Sequence, residues 1–130
     1  MAWQFDLVAP ERKLASADAE AVTLPGAEGD MTAMPGHAPF LTTLRPGVVS
    51  VTAGGSRSEY FVSGGFAEIS PESITLLAEE AVERSDVSRE MLDRLIADAE
   101  TALKEAGEDT RTVAALRVND LKFVAETLGL

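Results

Sequence analysis

The chain contains no cysteine, which excludes a disulfide framework, thiol chemistry and thiolate metal sites. It has a single histidine, so no second imidazole is available and no metal role is read for it. That histidine has no thiol to activate, and the acids show no spacing that singles out a catalytic pair, so no catalysis of its own is expected. Long apolar runs are also missing: no window approaches the roughly 18 residues of a membrane span. Residues 1–8 carry no basic leader region. Together these absences predict a soluble chain that stays in the compartment where it is made. Cationic side chains are scarce, 11 against 22 acidic ones, for a net charge of -11. Such a charge opposes direct binding to nucleic acid or to an anionic lipid surface and favours protein partners with cationic patches.

Proline is absent after Pro71, and eight of the ten glycines also lie before it. This shift in composition divides the chain into two regions. In the first, Trp3, Phe5 and Leu7 alternate with Gln4, Asp6 and Val8, and Val48, Val49 and Val51 form a second strand signal. Gly54-Gly55 stands between two such runs, the two-residue pattern of a tight hairpin. Tyr60-Phe61-Val62, Phe66 to Ile69 and Ser73 to Leu77 read as further strands. Gly64-Gly65 lacks the following lysine and serine of a phosphate loop, and reads as a bend or a close backbone approach. Short strands at this spacing predict an antiparallel sandwich or barrel.

The stiffest stretch is residues 34–47, with prolines at 35, 39 and 46. These prolines drive Met34, Ala38 and Arg45 into extended conformations. Pro35-Gly36 and Pro46-Gly47 each fit the centre of a type II turn. The spacing therefore predicts a shaped loop rather than a regular central strand, with Phe40, Leu41 and Leu44 pinning it to the core.

From Ser88 the apolar period changes from two to about 3.6. Leu92, Leu95, Ile96, Ala99, Ala102, Leu103 and Ala106 share one face, Ser88 is placed to cap the helix and Gly107 to end it. Ala114, Val118, Leu121, Ala125 and Leu128 repeat the scheme before Gly129, and the short connection predicts an antiparallel hairpin. Alanine-rich facing stripes predict a marginal hairpin, able to open. At 100° per residue, Leu116 and Phe123 fall opposite the seam, as a strip for the sandwich or for a partner.

Several stretches, in this order, resemble one family. They are Pro25-Gly26-Ala27-Glu28-Gly29-Asp30, Pro35-Gly36-His37-Ala38-Pro39, Leu44-Arg45-Pro46-Gly47, Val62-Ser63-Gly64-Gly65-Phe66-Ala67-Glu68-Ile69, Thr75-Leu76-Leu77-Ala78-Glu79 and Leu116-Arg117-Val118. The family is the epsilon subunit of F-type ATP synthases. The resemblance implies a β-sandwich of about ten strands over residues 1–85, for gamma and c-ring binding, and a regulatory α-helical hairpin over residues 86–130. It further implies a non-catalytic central-stalk rotor subunit that couples proton-driven rotation of the c-subunit ring to ATP synthesis through gamma. In that setting the chain is peripheral on the cytoplasmic face of the bacterial inner membrane. Asp30 and His37 occupy the positions that face the c-ring, where a carboxylate meets ring arginines. In the family, basic residues at the positions of Arg111, Arg117 and Lys122 meet an acidic loop of the beta (and alpha) subunits when the helices extend and block ATP hydrolysis; the strip of Leu116 and Phe123 is expected to meet gamma in that form. The ATP-binding helix motif of some members maps onto Leu92, Asp93 and Ala97, with Ile96 in place of its arginine. An aliphatic side chain offers a phosphate no donors, so ATP binding is expected to be weak or absent, and no cofactor is expected. A stand-alone ATP-sensing or ligand-binding β-sandwich module is the alternative reading.

Overall fold

The computed structural model describes residues 3–130; the first two residues of the expected N-terminal region lie outside the described residues. Ten strands come first: β1 (Gln4–Ala9), β2 (Arg12–Asp18), β3 (Ala21–Gly26), β4 (Gly29–Ala33), β5 (Phe40–Leu44), β6 (Gly47–Ala53), β7 (Ser56–Val62), β8 (Gly65–Ile69), β9 (Ser73–Ala78) and β10 (Ala81–Glu83). A single 3-10 turn, Arg84–Asp86, precedes α1 (Arg89–Glu105) and α2 (Glu108–Leu128). The chain divides into two compact units, one running to Arg84 and the other Ser85–Leu130.

The strands form a sandwich with the order β10-β7-β6-β3-β5-β8-β9-β1-β2, and β4 pairs with β3 off this path. All pairings are antiparallel except β1 with β9. Period-two alternation fills the interior. Trp3, Phe5, Leu7, Val22, Leu24, Val49, Val51, Ile69, Ile74 and Leu76 are all buried in one cluster. The Trp3 indole N–H would be costly to bury alone; it donates to the Ser70 carbonyl at 3.0 Å. The open edge of β2 is guarded by Lys13 and by a bulge opposite Leu7 and Val8, two devices that discourage pairing with another chain.

Gly54 and Gly55 take φ of 58° and 80° and close the β6–β7 hairpin in two residues. Gly65 is a close approach: a Cβ there would collide with the Leu77 carbonyl oxygen and come within 2.9 Å of Ala78 Cα. Pro46-Gly47, by contrast, is not a type II turn. Gly47 has no positive φ and already opens β6. Its lack of a side chain serves packing instead, because a Cβ would lie 2.8 Å from Pro25 Cβ.

In the second unit Ser88 caps α1 through its Oγ, which accepts from the Met91 N–H at 3.1 Å. Gly107 is the N-cap of α2, whereas Ala106, in an extended conformation, ends α1. The buried positions are Leu92, Leu95 and Ala99 on α1 and Val118, Leu121 and Val124 on α2. Of the alanines expected along the facing stripes, Ala99 is buried, Ala106, Ala114 and Ala125 are half-buried and Ala102 is exposed. Lys122 Nζ meets Glu100 Oε2 at 3.5 Å between the helices.

Candidate interaction surfaces

Residues 34–47 contain a regular strand within the sandwich: β5 pairs with β8 along its whole length, and at Leu44 it meets Gly26 of β3. Of the three apolar residues expected to pin this stretch, only Leu44 is buried; Phe40 and Leu41 are 47 % and 67 % exposed. Alternation along β5 explains Leu41, which stands on the opposite face from the core. The first half of the stretch is a turn of the expected kind. Gly36 has φ 87°, the His37 N–H donates to the Met34 carbonyl at 3.1 Å, and the Gly36 N–H is held by the Pro71 carbonyl at 3.0 Å. His37 Nδ1 donates to the Ala38 carbonyl at 2.6 Å, and its ring lies 6.4 Å from that of Phe40, tilted by 58°.

Asp30 lies in β4 opposite Pro25, immediately after the β3–β4 turn. The Ala27 N–H donates to Thr42 Oγ1 at 3.2 Å, which ties the tip of this turn to β5. Beside the tip is a groove of about 540 Å³ whose lining includes Glu28, Asp30, Met31, Phe40 and Leu41. It combines two carboxylates with exposed apolar surface. His37 does not line this groove; the structure brings it to Phe40 instead of to Asp30.

A second surface escaped the sequence reading. On the outer face, Phe66 of β8 is directly opposite Leu77 of β9, and Leu77 is in turn opposite Val8 of β1. Phe66 is 55 % and Leu77 52 % exposed. The signal was present in Phe66-Ala67 and Leu76-Leu77, where apolar residues occupy both phases of a strand although only one phase reaches the core.

Two carboxyls on the sandwich are tuned. Glu59 Oε1 meets Arg84 Nη1 at 2.8 Å, and Oε2 accepts from Ser50 Oγ at 3.3 Å and lies 3.9 Å from Arg57 Nη2. The Arg84 hydrogen bond, aided by the charges of both arginines, holds this carboxyl below its ordinary range despite partial burial. Asp6 is also held low. Partial burial pushes it up, but hydrogen bonds to Ser16, Lys13 and Gln4 together with the Lys13 charge outweigh that.

On α2, Leu116 and Phe123 are 39 % and 67 % exposed, as is Val113, which extends their strip toward the helix start. Arg111 is exposed and Arg117 half-buried, while Lys122 faces Glu100. Of the three residues of the incomplete ATP motif, Leu92 is buried, Asp93 Oδ2 lies 3.9 Å from Arg89 Nε, and Ala97 is exposed. No cluster of acids and histidine able to hold a metal ion occurs among the described residues, and no described helix is long and apolar enough to cross a membrane.

The family description "ATP synthase, Delta/Epsilon chain, beta-sandwich domain" fits residues 2–84. The ATP synthase epsilon chain of Paracoccus denitrificans (strain Pd 1222) is 48 % identical over 134 residues, covering 98 % of this chain and 90 % of that one. The epsilon chain of Ruegeria sp. (strain TM1040) is 58 % identical over 106 residues, 82 % of this chain and 77 % of its own. A chain in the cryo-EM structure of the Euglena gracilis mitochondrial ATP synthase matches with a TM-score of 0.73 at 23 % identity, over 98 % of this chain and 81 % of that chain. One from the central stalk and c-ring of the Tetrahymena thermophila mitochondrial enzyme matches at 0.72 and 13 % identity, over 98 % and 97 %. The last two bear on the fold alone.

Proposed function

The chain belongs to the family of ATP synthase epsilon chains, non-catalytic subunits of that complex, and from this premise we propose how its surfaces are used in the rotor. The groove beside Asp30 is the foot that meets the c-subunit ring. Its two carboxylates receive arginines of the ring's polar loops, and Phe40 and Leu41 cover the aliphatic stems of those side chains. The observation that carries this reading is that Glu28 and Asp30 line the same groove as Phe40 and Leu41, beside a turn tied to β5. A tied turn loses little freedom on docking. His37 supports the foot from beside it, through Phe40.

The outer row of Phe66 and Leu77 is a face for gamma, because adjacent exposed apolar groups of this size call for a partner. The helices form the regulatory part. Opened along gamma, they bring Leu116 and Phe123 against it and Arg111, Arg117 and Lys122 toward acidic surface on the beta and alpha subunits. In that form ATP hydrolysis is blocked. ATP is not a tight ligand of the chain, since Leu92 is buried and Ile96 replaces the arginine. The subunit sits peripherally on the cytoplasmic face of the bacterial membrane.

The decisive experiment for the foot is Asp30→Lys in the assembled enzyme. Loss of proton-driven ATP synthesis and weaker retention of the chain on isolated c-rings are expected. Full coupling and retention would overturn the assignment.

A further inference from the structure

β10 is the shortest strand, three residues that pair only with β7. Its register places Ala81 opposite Val62, Val82 opposite Phe61 and Glu83 opposite Tyr60. Continued by one step, this register sets Arg84 opposite Glu59, and there the backbone ladder is replaced by side chains. Arg84 Nη1 binds Glu59 Oε1 at 2.8 Å. The other carboxylate oxygen is held from the neighbouring strand, by Ser50 Oγ at 3.3 Å. Ser50 Oγ in turn accepts from Arg57 Nη2 at 3.1 Å. Both oxygens of Glu59 are thus engaged, and the network joins two neighbouring strands, β6 and β7, to Arg84, the last residue of the sandwich unit. The start of the strand is held by the Ser63 N–H, which donates to the Glu80 carbonyl at 3.0 Å, and by the Glu80 N–H, which donates to Ser63 Oγ at 3.1 Å; the charge-assisted bond secures its far end.

We propose that Glu59 and Arg84 form a clasp that sets the length of the tether between the sandwich and the helices. With the clasp closed, the connection begins at Ser85. With it open, β10 peels from β7 and the four residues 81–84 join the tether, adding up to about 13 Å of reach at about 3.3 Å per residue. The clasp is a positioning device and touches no partner. Its relevance to regulation rests on the reading of the helices given above, but its existence does not.

Hydrogen exchange of the full-length isolated chain tests it. In Glu59→Gln and in Arg84→Gln, exchange of the Ala81–Glu83 amides is expected to rise about threefold, the size of one partly exposed ion pair, while the β1 and β9 amides keep their rates. The double variant is expected to match the singles, because both remove one interaction. Unchanged exchange in β10, a rise spread over the whole sandwich, or additive effects of the two substitutions would each overturn the clasp. Because no partner subunit is present, failure here leaves the rotor assignment untouched, and failure of that assignment leaves the exchange result standing.

Discussion

Single residues in this chain carry constraints that their neighbours cannot take over. Gly65 has φ 135° and no room for a Cβ against the Leu77 carbonyl. Gly65→Ala is therefore expected to destabilise the sandwich by more than about 3 kcal/mol, combining backbone strain with a clash against backbone that cannot rotate away; a urea midpoint within error of the wild type would refute this. Glu59 gives a pH signature. Its carboxyl is held below the ordinary value of 4.5 in the folded chain, so the unfolded chain binds a proton first as the pH falls. The resulting stabilisation is fully present above that ordinary value and is lost as the pH drops through the lower, folded one. The stability difference between wild type and Glu59→Gln, measured by denaturant melts, is accordingly expected to shrink from neutral pH toward pH values below 4.5.

At the scale of elements, five of the six buried positions on the two helices are leucine or valine. Leu121, fully buried, is expected to cost about 2 to 5 kcal/mol as Leu121→Ala, and Ser88→Ala about 1 kcal/mol through loss of the Met91 cap; circular dichroism melts of the full chain resolve both. Leu116→Ser with Phe123→Ser should leave those melts nearly unchanged, since both side chains are solvent-exposed, and should relieve inhibition of hydrolysis in the assembled enzyme. Persistent inhibition would make that strip incidental. The exposed strip was legible in the sequence because helical phase assigns faces from residue order alone. The β strands with clean alternation, the Gly54-Gly55 hairpin and the Ser88 cap were legible for the same reason: their causes are local. The misread features have non-local causes. Gly47 answers to Pro25, twenty-two residues away. Leu41 was assigned to the core because apolar character says nothing of which phase of β5 the sheet buries, and Phe40 stands exposed at the start of that strand. The Glu59 and Arg84 contact links positions 25 residues apart and has no local signal. Of the proposed foot, Asp30 was assigned through family resemblance, whereas Glu28, Phe40 and Leu41 join it only when the β3–β4 turn and β5 are placed together.

For the molecule as a whole, the division at Arg84 separates two kinds of stability. The sandwich unit closes its own core from Trp3 to Ala81, with every member of that cluster in the first unit, so it has what a domain needs to fold alone. Removing residues 86–130 leaves this cluster intact, along with Arg84 and its partner Glu59. The truncated chain is thus expected to melt cooperatively and, if Asp30 is the foot proposed above, to remain coupled with ATP synthesis retained. What it loses is the strip of Leu116 and Phe123 and the cations of α2. If those act as a brake, ATP hydrolysis by the assembled complex rises on truncation while synthesis does not fall. Equal hydrolysis with and without residues 86–130 would leave the coupling role standing and remove the regulatory one. A fall in synthesis with a properly folded sandwich would mean that the helices contribute to holding the rotor together. The two activities must be measured on the same preparation, because hydrolysis alone does not distinguish a released brake from a loosened rotor.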